Sequence, residues 1–391
     1  MNVELFAQNC CGCGACEAVC PKGAISMAPN EEGFLFPHID RERCVSCGAC
    51  TNVCQENPEV KCLLNSAEQV YACQAKDQKL LLEATAGALF PVLAEYVIEQ
   101  GGYVYGAVYN DCMEVVHIGV KSKDDLIRFN GSKYVQSNTS GVFESVYANL
   151  EAGHMVLFSG TPCQIAALRL FCANVSQEKL ITIDVVCYGV PSPKVFRAYL
   201  DVVEKKYRAK VTDFRFRDKH TYGWSHTTVI AMKKDNGEQL IIEQPDYYKI
   251  KYYRMFAHRD CFRKTCYSCR FNILERCSDF TTGNFWGIEN ISNAFDVKLG
   301  VSMLLINSEK GKQIFEKIKD RLRLEERMVE DAIRANDALV KGSKYPQDRD
   351  AIYRCFVTYG FSKTIRKFYS KLSKRQIVYR LYKIKKHIFG S

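Results

Sequence analysis

Eight cysteines near the N-terminus repeat one spacing: Cys10-x2-Cys13-x2-Cys16-x3-Cys20, then Cys44-x2-Cys47-x2-Cys50-x3-Cys54. Thiolates so spaced hold 4Fe-4S cubes, three from one run on one cube while the fourth crosses to the other. The expected sets are Cys10, Cys13, Cys16 with Cys54, and Cys44, Cys47, Cys50 with Cys20. Gly12, Gly14 and Gly48 allow the tight turns that aim three thiols at one centre. Cys11 falls outside the spacing and reads as a spectator. Zinc sites use paired C-x2-C units with a longer gap between pairs, not four-cysteine runs. Disulfide scaffolds belong to secreted chains, and Met1 is followed by no charged-then-apolar segment, so a reducing cytoplasm is expected.

Residues 1–57 thus resemble a bacterial two-cluster ferredoxin, with Gln55 standing where the second run would carry proline, as Pro21 follows the first. At 391 residues, 47% hydrophobic and with 20 cysteines, the chain holds much more than that. Two or three domains with a sizeable core are expected.

Two further groups of residues could do chemistry. In Leu157–Ala167 a buried strand ends, Thr161 can cap, Pro162 takes the first helical position and Cys163 lies in the first turn. Free N–H groups and the positive helix end would stabilise a thiolate there, as a metal ligand or redox nucleophile; a buried cysteine acting as a small hydrophobe is the competing reading. Further on, Cys261-x4-Cys266-x2-Cys269-x7-Cys277 reads as a metal site for which spacing does not separate zinc from iron–sulfur. Cys266 and Cys269 need partners from Cys261, Cys277 or distant thiols such as Cys163 and Cys187.

The elements that must position these residues alternate. After a polar linker at Gln55–Gln69, apolar strands and amphipathic helices argue for an α/β body. Expected helices are Leu80–Gln100, Ser122–Phe129, Gly141–Leu150, Pro193–Tyr207 and one from Ser308; expected strands include Tyr103–Tyr109, Met155–Ser159, Leu180–Cys187 and Val301–Asn307. Val211–Arg217, Thr227–Lys233 and Gln239–Glu243 read as a more β-rich part, with a hairpin turn at Asp235-Asn236-Gly237.

GTPCQIAAL at Gly160–Leu168, DVVCYGVPSP at Asp184–Pro193, FRFRDKHTYGW at Phe214–Trp224, and CYSCRF with SDFTTGNFWG together resemble the coenzyme F420 hydrogenase/dehydrogenase beta-subunit family over roughly residues 70–310. The resemblance implies an α+β or α/β architecture: a ferredoxin-like dicluster domain (1–57) fused to a flavin-binding body (70–180 and 181–345) with a cysteine-containing C-terminal part. It implies a third 4Fe-4S cluster on Cys163, Cys187, Cys266 and Cys269, with Cys261 and Cys277 in reserve. It places FAD near Thr85, Gly87, Gly131, Ser132, Lys133 and Tyr134, with Lys133 and backbone amides toward the pyrophosphate. This chain has Ala84-Thr85-Ala86-Gly87-Ala88 where the family often shows serine and glycine. Arg217, Asp218, Lys219 and His220 read either as substrate-recognition or proton-delivery residues or as a charged surface loop. Cys62, Cys73, Cys112, Cys172 and Cys355 read as buried or incidental.

The net charge of +10 arises in the tail: residues 361–391 hold ten Lys or Arg and no acid, while the first 360 residues balance. Apolar residues interleave with these charges, so the basic amphipathic tail (346–391) reads as a peripheral membrane or acidic-partner contact, or as a helix packed on its own domain. No nucleic-acid module accompanies the charge.

Clusters move single electrons and flavins one or two. The expected function is an iron–sulfur flavoprotein oxidoreductase passing electrons from ferredoxin-type clusters through FAD to an organic acceptor, with cell-surface polysaccharide metabolism as the favoured setting. The alternative is the electron-transfer subunit of a larger hydrogenase or dehydrogenase complex, or a coenzyme F420 reductase. Partners would be an electron donor or acceptor protein and a small-molecule substrate.

Overall fold

The computed structural model describes residues 2–67 and 69–370; the tail from 371 onward lies outside them. The N-terminal region is a small two-fold unit. An antiparallel pair, Ile25–Pro29 with Leu35–Ile39, carries two four-residue helices, Ala15–Ala18 and Ala49–Asn52. Each helix begins on a left-handed glycine, Gly14 (φ 76°) and Gly48 (φ 79°), which turns the chain between the second and third cysteines of each run. A side chain there would be strained.

The body is built on an eight-stranded mixed sheet in the order Leu322–Arg327, Gln69–Ala75, Ser302–Ile306, Phe280–Asn284, Leu180–Val185, Val156–Gly160, Tyr103–Tyr109, Val115–Val120. The four strands from Phe280–Asn284 to Tyr103–Tyr109 run parallel. Their side chains alternate between two cores, which is what a sheet covered on both faces requires. Val156, Phe158 and Leu180 face one core, beneath helices Val142–Glu151 and Pro162–Phe171. Leu157, Ile181 and Ile183 face the other, with helix Leu89–Glu99. Buried Asp279 pins the start of Phe280–Asn284 to its neighbour, accepting from Thr182 N and Oγ1 (both 2.8 Å) and from Arg169 (3.1 Å). A separate antiparallel sheet, Gln239–Gln244, Thr228–Lys233 and Lys210–Arg215, shares an aromatic core with helix Pro193–Tyr207.

Most expected elements stand within one or two residues of their predicted bounds, and Pro193–Tyr207 matches at both ends. Three expectations change. Leu80–Gln100 is not one helix but two, Gln78–Glu83 and Leu89–Glu99, because the backbone at Gly87 lies against the strands: a Cβ there would come within 2.1 Å of Cys73 O and 2.6 Å of Ser302 N. Gln55–Gln69 is no free linker. Gln55 and Asn57 are buried, and Asn65 exchanges backbone hydrogen bonds with Arg276 at 2.8 Å each way. Residues 361–369 of the tail belong to helix Arg349–Tyr369, kinked at Gly360, with Phe361, Thr364 and Tyr369 buried. Arg254 donates to Tyr369 O (2.8 Å), and the Tyr369 hydroxyl donates to Asp260. This part of the tail therefore packs on its own domain; the membrane or partner reading concerns residues outside those described. Among the described residues no helix is long and apolar enough to cross a membrane.

Candidate electron-transfer sites

Cys10, Cys13, Cys16 and Cys54, from opposite ends of the small unit, line one small cavity together with Cys11, Gln55 and Glu56. Cys16 feels the charges of Cys10 and Cys54, and burial pushes its thiol up to about 12. Cys50 in turn feels Cys47 and Cys20, on the other side of the unit. Gly12 N donates to Cys10 Sγ (3.3 Å) and Ala24 N to Cys20 Sγ (3.2 Å), contacts that favour a metal-bound thiolate. Among the described residues no three His, Cys, Asp or Glu converge as one bare ion would need; the first set rings a space instead. The second set is nearer the surface, with Cys47 and Val45 exposed.

A third group forms inside the body. Cys163, in the first turn of Pro162–Phe171, lies near Cys187, which follows strand Leu180–Val185, and near the pair Cys266 and Cys269. Cys187 feels the charges of Cys266, Cys163 and Cys269, and Cys269 that of Cys163. Val190 N donates to Cys266 Sγ at 3.4 Å. The helix end does not prevail at Cys163: contact with Cys11, then burial, push its thiol well up, so as a thiolate it needs a metal.

Cys11 is no spectator. Its thiol contacts both Cys13 and Cys163, linking the first set to the third, and receives a hydrogen bond from Gln55 Nε2 at 2.8 Å. Gln55, the departure from the proline pattern, thus holds the linking sulfur. The same seam is clamped through main-chain carbonyls. Arg263 donates to Cys10 O (2.6 Å) and Leu35 O (3.0 Å), Gln136 to Cys11 O (2.8 Å) and Thr139 to Cys13 O (2.7 Å). Arg263 is 1% exposed and its charge acts on Cys10, Cys163 and Cys266 alike.

Beyond the third group lies a cavity of about 520 Å³ at the C-terminal ends of the parallel strands, with Cys187 in its wall. Ligands of open α/β sheets bind at such strand ends. Thr85, Gly131, Ser132, Lys133 and Tyr134 all line it. Two of the predicted segments meet there: Thr85 Oγ1 accepts from Ser132 N (2.8 Å) and Oγ (3.2 Å). Lys133 Nζ donates to the carbonyls of Arg128 (3.1 Å) and Asn130 (2.9 Å), and burial pushes its ammonium down to about 7. Gly87 does not line the cavity; its N donates to Ser302 Oγ (2.8 Å) and its role is close packing.

The C-terminal model of the coenzyme F420 hydrogenase/dehydrogenase beta subunit matches residues 153–332, and the 4Fe-4S dicluster domain model matches residues 9–57. Residues 153–332 are thus similar to the C-terminal part of that beta subunit, and residues 9–57 to a 4Fe-4S dicluster domain. With these two matches in one chain, it is an iron–sulfur protein of electron transfer. No curated protein matches it. A chain of the F420-reducing NiFe hydrogenase complex from Methanosarcina barkeri is similar at 16% identity and a TM-score of 0.42, over 78% of this chain and 92% of that one.

In this chain the Arg217–His220 run is neither a surface loop nor a single site. Only Arg217 lines the cavity. Asp218 pairs with Arg215 (2.6 Å) and His220 (3.1 Å), and His220 with Glu83 (3.2 Å). Lys219, 3% exposed, donates to the carbonyls of Leu81, Ala86 (2.9 Å) and Leu299 (2.6 Å), stapling the broken helix that walls the cavity. Cys277 contacts Cys62, and Cys261 lies in the aromatic core, so neither reserve joins the third group. Cys73, Cys172 and Cys355 are buried, and Cys112 is exposed. Sequence reasoning missed His117. It lines the cavity, stacks on Phe158 (5.3 Å), meets Ser159 O through Nε2 (2.9 Å), and is held neutral by burial, at about 4. One histidine on a strand carries no local signal of this.

Proposed function

We propose that the chain is an electron-transfer subunit in which a protein partner exchanges electrons near exposed Cys47 and the cavity delivers or collects them at FAD. The observation that carries this is the position of Cys187, which belongs to the third thiol group and also forms part of the cavity wall. A track of neighbouring sites thus runs from Cys44, Cys47, Cys50 and Cys20, through Cys10, Cys13, Cys16 and Cys54, across Cys11 to Cys163, Cys187, Cys266 and Cys269, and ends at the cavity.

The residues fit the groups they would hold. Each proposed cluster set is four thiols, and the cavity offers a half-buried lysine, the Gly131–Ser132 turn and no lining carboxylate among the described residues, a setting suited to a pyrophosphate. Lys133 would meet that anion, the Thr85–Ser132 contact would hold the wall beside it, and neutral His117 would present a hydrogen-bond acceptor. Bound there, FAD would supply exchange of one or two electrons. The second reading, an enzyme reducing its own organic acceptor, with cell-surface polysaccharide metabolism as the expected setting, is favoured by Arg217, a further cation, and a buried one, in the same cavity.

Anaerobic purification tests the cofactor content: about twelve iron per chain, from three four-iron clusters, and one FAD are expected. Eight iron would remove the third cluster, and absence of FAD would remove the flavin. Turnover only with an added redox protein supports the subunit; turnover of a small molecule by the isolated chain with an artificial donor supports the enzyme.

A further inference from the structure

Arg217 has no role in the track described above, yet it is the most unusual charge in the cavity. It is 9% exposed. Its Nε donates to Tyr134 Oη (2.9 Å) and its Nη2 meets His226 Nδ1 (3.2 Å), neither of them a carboxylate. The guanidinium carbon lies 4.8 Å from the Trp286 ring centroid and 5.9 Å from that of Trp224. Nη1 has no hydrogen-bond partner among the described residues. The adjacent acid, Asp218, is spent on Arg215 and His220.

A guanidinium stays charged at any pH a protein meets. Burying it without a counter-ion is strongly unfavourable, and aromatic faces repay only part of that. The cavity beside it supplies no carboxylate among the described residues. The missing partner must then come from what the cavity binds. Lys133 is one cation for one anion; Arg217 is a second.

We propose that Arg217 anchors a second anion subsite, taking the carboxylate or phosphate of a small organic molecule that reacts in this cavity, its body packing against Tyr188, Phe256 and Trp286. This rests on the reading of the cavity as the reaction site, but not on FAD being the group beside it. Arg217 acts as a binding residue: its fork suits planar, two-pronged recognition of either anion.

The test is calorimetric titration of the full chain, purified anaerobically, with benzoate and with phenyl phosphate, alongside FAD titration. At least one probe should bind at millimolar concentration, and which one binds separates the carboxylate from the phosphate source. Arg217→Gln should weaken that probe by about tenfold or more, the loss of one charged contact, with FAD affinity and iron content at wild-type levels. Arg217→Lys, which keeps the charge in place and so guards against misfolding, should weaken it less. The proposal is overturned if neither probe binds, if both variants bind as wild type does, or if Arg217→Gln loses FAD as fully as the probe. Failure of FAD to bind, with probe binding still dependent on Arg217, would end the flavin reading and leave this one standing.

Discussion

The thiol of Cys11 lies against that of Cys163, joining a residue of the dicluster unit to one in the first turn of a body helix. Neither belongs to the same part of the chain. Their contact links the two groups of thiols, and it puts the adjacent cysteine to use.

Replacing Cys11 by alanine should therefore leave iron per chain unchanged, since it is outside every proposed ligand set. Electron arrival at the cavity from a reduced donor protein should slow several-fold. Stopped-flow absorbance after rapid mixing measures this; an unchanged rate would return Cys11 to the status of a bystander.

The double change Cys266→Ala, Cys269→Ala should lower iron by about a third, one cluster of three. The paramagnetic signals of the reduced N-terminal pair should persist. Iron assay and low-temperature electron paramagnetic resonance read the two effects separately.

Arg263→Gln removes a buried positive charge shared by Cys10, Cys163 and Cys266. A reduced cluster is the more negative form, so losing the cation should lower the potentials on both sides of the seam, on the order of 50 mV at an effective dielectric near 20. A redox titration followed by paramagnetic resonance gives both values.

Lys219→Met leaves three carbonyls, those of Leu81, Ala86 and Leu299, without their donor. A loss of stability on the order of 3 kcal/mol is expected. Urea unfolding measures it, and FAD affinity should fall with it because the stapled segment walls the cavity.

Lys133 gives the expected dependence on pH. Burial pushes its ammonium down to about 7 in the folded chain, against about 10.4 when unfolded. Between those values the unfolded chain holds a proton that the folded chain lacks, so the flavin-free protein should gain stability as pH rises through that window. FAD affinity should move the other way, falling above pH of about 7 as the cation proposed to hold the pyrophosphate is lost. Lys133→Met should bind FAD more weakly and flatten both profiles, as fluorescence and thermal melts would report.

The ligand spacing and most strands were legible because each rests on neighbours in sequence: three thiols in one loop, or alternation along one strand. Leu80–Gln100 misled because its apolar rhythm runs unbroken through Gly87, and only the approach of Cys73 and Ser302 from distant strands breaks the helix. Lys219 reads as a solvated charge until Leu81 and Leu299 are folded around it. Cys11 looked surplus because its partner is more than 150 residues away in the sequence, and Arg217 could be told from Asp218 and Lys219 only by which side chain lines the cavity.

The carbonyls of Cys10, Cys11 and Cys13 are gripped from the body by Arg263, Gln136 and Thr139. Most ferredoxin-like donors must diffuse, collide and reorient before each transfer, so their rates scale with concentration and viscosity. Here the donor is soldered in place. Passage inward should be first order, indifferent to dilution and solvent thickness, and any dependence on concentration should report the outer encounter at Cys47 alone.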